Sequence, residues 1–269
     1  MSKLPEVANP ERAIYPSDLS DSEWSIIKPL LPASKGFGHP RTVNLREIIN
    51  AVFYVQRSGC QWEMLPHDFP PHSTVYAYFR KWGRHGIWAQ IHDQLRSKVR
   101  VKAEKLPTAS AVSIDSQSVK TTGKKGAVYG FDGGKKVKGR KRHLIVDTMG
   151  LVIAIVVTEA NTPERLGAVV ALNEAAEKLD RLEVIWVDQG YRGENFARVV
   201  KQLCDAKVEV MGQPKSKFEI HPKRWVVERT FGWLNRYRRL SKDFETHIEN
   251  SESMIYGAMI RLMLKRLAA

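Results

Sequence analysis

His143-Leu144-Ile145-Val146-Asp147-Thr148-Met149-Gly150-Leu151-Val152-Ile153-Ala154-Ile155-Val156-Val157-Thr158 is the stretch that decides the fold. Two apolar, β-branched runs flank Thr148-Met149-Gly150, so residues 143–147 and 151–158 read as strands closed by a hairpin turn. Asp147 stands just before the turn, where a carboxylate serves as a local acceptor; that role is favoured over membership of an acidic cluster. Upstream, 111–116 reads as an earlier strand. Downstream, Asn161 or Thr162 caps a helix through 179 with Pro163 in its first turn. Residues 182–187 are then a strand, 193–206 a helix, 208–211 a strand, and 224–240 and 251–267 helices. Three early strands followed by alternating helix and strand describe an α/β mixed sheet with flanking helices.

Before about residue 106 the pattern is helical. Ser20-Asp21-Ser22-Glu23 is a capping box, opening a helix of Trp24, Ile27 and Leu30 that Pro32 ends. Leu45, Ile48, Ile49, Val52, Phe53 and Val55 recur at helical spacing until Ser58-Gly59. Residues 34–40 read as a loop. Ser73 or Thr74 caps a third helix with Tyr76, Phe79 and Trp82 spaced by threes, and Gly86 starts a fourth to about 101. Short helices joined by tight turns, one carrying Arg80, Lys81 and Arg84, suit a helix-turn-helix with its recognition helix near 73–83. The aromatics belong to the core of this region even if it binds no DNA. The expected division is a helical DNA-binding domain over 1–106 and a sheet domain over 107–269.

Lysine plus arginine number 43 against 29 acidic residues, a net charge of +14 and a pI near 9.8. Such a surplus attracts polyanions through counterion release, and nucleic acid is the leading partner class; a solubilising positive surface is the alternative. Two cysteines, Cys60 and Cys204, make neither a disulfide framework nor a zinc site and suit a reducing cytoplasm. The first residues carry no apolar leader run, and no long uninterrupted apolar segment suits a membrane span, so secreted and membrane-spanning classes are set aside.

Three carboxylates stand out. Asp115 lies within the first strand, Asp188 ends the fourth, and Glu228 sits on the helix after the fifth. A buried carboxylate is costly unless paired, protonated or metal-bound, and several together call for hard divalent cations. Each taken singly also fits an ordinary structural place.

The segments 113–120, 139–148, 187–193 and 224–231, ordered around these residues, resemble bacterial DDE transposases of the insertion-sequence four/five superfamily, in the group of insertion sequence five. Residues 19–82, including Ser58-Gly59-Cys60-Gln61-Trp62 and Leu65-Pro66, are similar to that group's N-terminal domain. The resemblance implies a ribonuclease-H-like catalytic domain in which Asp115, Asp188 and Glu228 hold Mg2+, with Mn2+ able to substitute. It implies hydrolysis and then strand transfer at terminal inverted repeats, on double-stranded DNA, by a homodimer or higher oligomer. It also places an arginine four residues before the glutamate, where Arg224 stands to position phosphate or Glu228. The basic residue expected seven after Glu228 is replaced by Asn235, followed by Arg236. Gly232, one turn after Glu228, would let a DNA backbone approach.

Residues 124–142 are glycine-rich and basic, ending in Arg140-Lys141-Arg142. They read as a flexible arm ordered by DNA or as a solvated loop, the former favoured. His143 reads as a strand-edge residue rather than a metal ligand. Trp225, Trp233 and Tyr237 can stack on a base but are read as core. The rival readings are a same-fold nuclease without strand transfer and a noncatalytic DNA-binding regulator. The expected setting is the bacterial cytoplasm, on the nucleoid.

Overall fold

The computed structural model describes residues 12–33, 42–123, 126–212 and 222–269. The chain forms two compact units, one taking Met1–Ala103 with Arg236–Leu240 and Ser253–Ala269, the other Glu104–Asn235 with Ser241–Glu252. The sequence pattern assigns the whole last helix to the sheet domain. In the structure that helix belongs to the first unit from Ser253 onward, where Gln56 donates to the Met254 carbonyl at 3.1 Å and the His92 and Tyr256 rings meet.

The first unit is helical: α1 (Asp21–Ile27), α2 (Leu45–Ser58), α3 (His72–Arg84), α4 (Ile87–Lys102) and most of the last helix, α8 (Ile248–Ala268). The capping box is present, with Glu23 N donating to Ser20 Oγ at 3.1 Å and Ser20 N to Glu23 Oε2 at 2.8 Å. Helix α2 buries Ile48, Ile49, Val52, Phe53 and Val55 and ends at Gly59, whose φ of 74° suits glycine. Helix α3 starts earlier than the Ser73 or Thr74 caps allow: Pro71 is its N-cap, and no side chain closes its first turn. Phe79 and Trp82 are buried, and Trp88 donates its indole N–H to the Phe79 carbonyl at 3.1 Å, so the aromatic stripe is core. In α8, Arg261 is buried because it pairs with Glu23 and donates to the Asp18 carbonyl at 2.9 Å.

The second unit contains strands β1 (Ala111–Lys120), β2 (Gly130–Asp132), β3 (Val137–Asp147), β4 (Val152–Glu159), β5 (Val184–Val187) and β6 (Lys207–Val210). Its helices are α5 (Glu164–Glu174), α6 (Glu194–Cys204) and α7 (Pro222–Leu234). Strand β3 pairs antiparallel with β1 on one side and with β2 and β4 on the other; β5 is parallel to β1, and β6 to β5. Short β2 aside, the antiparallel trio β4-β3-β1 continued by two parallel strands is the ribonuclease-H-like sheet. Its core joins Val112, Ile114, Ile145, Ile185 and Val187 to Ala168, Leu172, Phe196 and Val200 of α5 and α6.

Four local expectations change. The helix after Asn161 begins at Glu164 behind Pro163, with no Asn or Thr side-chain cap. Helix α7 stops at Leu234 rather than near 240, so Asn235 and Arg236 lie beyond it. Strands β1 and β3 are longer than their apolar stretches, and β2 joins them, so the glycine-rich basic segment from Gly130 onward is strand and turn rather than a free arm; Lys124 lies outside the described residues. The reason is close packing: a Cβ on Gly139 would come 2.0 Å from the Val119 carbonyl oxygen, so glycine admits the neighbouring strand. Asp147 has the turn role expected of it, accepting from Met149 N and Leu151 N, both at 2.9 Å.

Candidate active site

Register places the first two carboxylates. Ser113 pairs with Trp186 across the parallel β1–β5 ladder. Two residues further along each chain, on the same faces, come Asp115 and Asp188. Both line one small cleft with Ser113, Trp186, Met211 and Val227. Asp188 is held by its own turn, its Oδ1 accepting from Gly190 N at 2.8 Å. Asp115 Oδ1 accepts from Ser116 N at 2.7 Å. Burial, with Asp188 and Glu164 adding like charge, nevertheless pushes the Asp115 carboxyl up to about 7.

Glu228 occupies a different setting. Helix α7 buries Val227, Thr230, Phe231 and Leu234, as its apolar stripe anticipates, and leaves Glu228 exposed. Thr230 Oγ1 donates to the Gly150 carbonyl at 2.8 Å, and Arg229 to that of Met149 at 3.1 Å, which docks the helix on the β3–β4 turn. Val227 lines the cleft, but Glu228 does not. Among the described residues no three Asp, Glu, His or Cys side chains are grouped to hold one ion. The structure therefore sets Asp115 and Asp188 in one cleft, with Val227, the residue before Glu228, on its wall.

The sequence reading passed over Glu164. Its Oε1 accepts from Ser116 Oγ at 2.9 Å and Lys135 Nζ at 3.0 Å. A Cβ on Gly190 would stand 3.0 Å from both Glu164 Oε2 and Asp188 Oδ1, so these two oxygens flank one small space that a larger residue would invade. Burial opposes the Glu164 charge, but Lys135 and Ser116 outweigh it and hold the carboxyl below its ordinary range. Tyr191 is fully buried beside Asp115, Glu164 and Asp188; burial, then those charges, keep its hydroxyl protonated. The available signal was an acid at the first position of the helix that returns to the strand ends.

The basic residues divide. Arg80 is partly exposed with its guanidinium 5.6 Å from the Tyr76 ring centre, and Lys81 is exposed. Arg236 is exposed, and Arg224 lies in the first turn of α7 with its side chain outside the described residues. Arg140, Lys141 and Arg142 are buried, which corrects their expected role as DNA contacts. Arg140 donates to Asp243 Oδ1 at 3.1 Å, the Glu245 carbonyl at 2.8 Å and Ser251 Oγ at 2.9 Å. Lys141 donates to the Thr162 carbonyl at 2.9 Å, and Arg142 to that of Lys242 at 3.3 Å. Their charges serve the interior. His143 is likewise buried, with Nε2 3.0 Å from Thr158 Oγ1. Trp225 is 40% exposed, against its reading as core, and the Arg229 guanidinium lies 4.8 Å from the ring centres of both Trp225 and Trp233.

One carboxylate within β1 and another just after the parallel β5 share a cleft on a ribonuclease-H-like sheet. The family model described as "Transposase DDE domain" matches residues 106–263, and the chain belongs to that family. A second model, "Putative transposase of IS4/5 family", matches residues 19–92. Among curated relatives, "Putative transposase for insertion sequence element IS402" of Burkholderia cepacia is 29% identical over 132 residues, 46% of this chain and 60% of that protein. This chain thus spans less than two-thirds of that relative's length. "Insertion element IS402 uncharacterized 16.2 kDa protein", also of Burkholderia cepacia, is 29% identical over 115 residues, 39% of this chain and 74% of that protein. A chain of the Mos1 strand transfer complex matches at a TM-score of 0.31 and 13% identity, covering 87% of this chain and 79% of that one. A chain of the simian T-cell lymphotropic virus intasome with PP2A regulatory subunit B56 gamma matches at 0.31 and 17%, covering 47% and 38%. Scores this low add nothing to the assignment.

Membership of the DDE family carries divalent-metal dependence with it. The donor set fits: two hard carboxylates share a partly buried cleft, one of them driven toward its neutral form by burial and like charge, a cost that a dication relieves. Among the described residues no helix is long and apolar enough to cross a membrane.

Proposed function

We propose that this chain is a DNA transposase that cuts phosphodiester bonds at the terminal inverted repeats of an insertion sequence and rejoins the freed end to target DNA. The observation that carries the reading is the shared cleft of Asp115, within β1, and Asp188, just after the parallel β5, inside a DDE domain. These two carboxylates would hold the ion, with Glu228 as the third; Mg2+ is the expected metal and Mn2+ its substitute. A divalent ion held there would supply Lewis acidity toward the attacking and leaving oxygens of a phosphodiester. The chain's own part is positional. The β1–β5 register sets the separation of the two carboxylates, Gly190 keeps open the space between Asp188 and Glu164, and Tyr191 is buried beside these acids. Water is the first nucleophile and the freed 3′-hydroxyl the second. The helical unit, through Arg80 and Lys81 on α3, reads or grips the terminal repeat; assembly as a dimer or larger oligomer on paired ends, in the bacterial cytoplasm on nucleoid DNA, completes the reading.

The test uses the full chain and a duplex carrying the DNA that flanks its gene. Mg2+ and Mn2+ should each restore nicking after chelation, whereas Ca2+, with its looser coordination, should permit binding without turnover. Asp115→Asn, Asp188→Asn and Glu228→Gln should each abolish nicking and keep gel-shift affinity. Wild-type nicking by any two variants, or full activity without a divalent ion, would overturn the reading. A joined product separates a transposase from a nuclease of the same fold; DNA binding without nicking identifies a regulator.

A further inference from the structure

We propose that Lys135 is a phosphate-binding residue of the active site, fixed there by Glu164 and Asp132. The proposal rests on the DNA reading above and deepens it. Its first support is the construction of the β2–β3 turn. Asp132 Oδ2 accepts from Ser118 Oγ on β1 at 2.6 Å and lies 3.4 Å from Lys141 Nζ on β3. Its other oxygen accepts from Gly134 N at 3.1 Å and Lys135 N at 3.0 Å. One carboxylate therefore ties the turn to both flanking strands. Burial opposes its charge, but the Ser118, Lys135 and Lys141 interactions hold the Asp132 carboxyl down at about 2, so this anchor is ionised across the working pH range.

The second support is where the turn delivers its lysine. Lys135 Nζ donates to Glu164 Oε1 at 3.0 Å and to the carbonyl of Ser116, the residue after Asp115, at 3.3 Å. An ammonium has three donors. Two are spent on holding it beside the acid pair; the third remains, on a side chain that is 46% exposed. Neighbouring Lys136 and Lys138 are also exposed, but neither is tied to the site. A carboxylate cluster repels the DNA backbone that it must act on. A fixed cation at its rim, with one free proton, offsets that repulsion and orients a non-bridging phosphate oxygen. Arg140, Lys141 and Arg142 cannot do this because they are buried.

The experiment compares the full-length wild type with Lys135→Met, Lys135→Arg and Lys136→Met on a duplex carrying the DNA that flanks the gene. Gel-shift affinity is measured over a salt series, and single-turnover nicking with Mg2+. Lys135→Met should shallow the log–log salt slope by about 0.9 and slow nicking about tenfold or more. Lys135→Arg should keep the slope and most of the rate, since both side chains grip phosphate. Lys136→Met should be less impaired than Lys135→Met in both readouts. An unchanged slope in Lys135→Met overturns the proposal, and so does equal loss in Lys136→Met, which would mark a general charge effect. A lowered melting temperature with unchanged slope assigns Lys135 to structure alone and also overturns it. If the wild type fails to nick while the Lys135-specific slope change holds, the phosphate contact stands and the transposase reading falls. If the wild type nicks and Lys135→Met matches it in slope, the lysine proposal alone falls.

Discussion

Arg80-Lys81 on α3 and Arg140-Lys141-Arg142 on β3 are both short basic runs in a chain of net charge +14, and they meet opposite environments. The first pair stands at a helix surface, with the Tyr76 ring under Arg80. The second run is enclosed, and Arg140 is matched by Asp243, Ser251 and the carbonyls of Val128, Glu245 and Thr246. Charge of the same sign thus does two jobs. At the surface it is available to a polyanion; in the interior it ties a strand to residues about a hundred positions away. Burial removes a cation from the pool that can release counterions, so net charge alone overstates the DNA-facing surface.

The largest effect expected from this contrast is on stability. Arg140→Met should destabilise the protein by about 3–5 kcal/mol in denaturant unfolding, because it strands a buried Asp243. Combining it with Asp243→Asn should recover part of the loss. A cost under about 0.5 kcal/mol, the range of ordinary surface substitutions, would break the contrast.

A smaller effect concerns pH. Burial, then the Lys141 charge, depress the His143 pKa to about 4, below the ordinary histidine value. Between that value and about 6.5 the unfolded chain binds the extra proton and the folded one does not. His143 therefore makes stability fall as pH drops from about 6.5 to about 4. His143→Gln should flatten that part of the stability–pH curve; an unaltered slope would show that another group sets it.

The mildest stability change belongs to the surface pair. Arg80→Ala with Lys81→Ala should alter unfolding free energy by less than about 0.5 kcal/mol and shallow the salt slope of DNA binding by up to about 1.8. Strong destabilisation, or an unchanged slope, would place these residues with Arg140 instead.

How far each feature was legible follows from the range of its causes. The capping box at Ser20, the αL stop at Gly59 and the turn at Asp147 rest on neighbours a few residues away, and all were readable. Strand order was suggested by the hairpin and the later alternation. The ends of β1 and β3 were not, because polar residues such as Gln117 and Arg142 are drawn into strands by pairing with each other. The start of α5 was misplaced because Pro163 sets the backbone without any side-chain cap, and α7 ended early.

In the site, Asp115 and Asp188 were visible as acids in and after apolar strands, and the order of motifs marked Glu228. By itself the sequence determined most of the elements, a mixed sheet flanked by helices and the acids worth weighing, since periodicity and local caps are properties of adjacent residues; the ribonuclease-H-like order followed from the resemblance of its motifs. Tertiary structure alone decided which charges are spent inside and which face the site. It enclosed Arg140 among carbonyls and Asp243, brought Asp115 and Asp188 into one cleft, and bent the β2–β3 turn to set Lys135 on Glu164. The free energy of a charge depends on the partners and solvent that the fold assembles around it, and those partners come from distant parts of the chain.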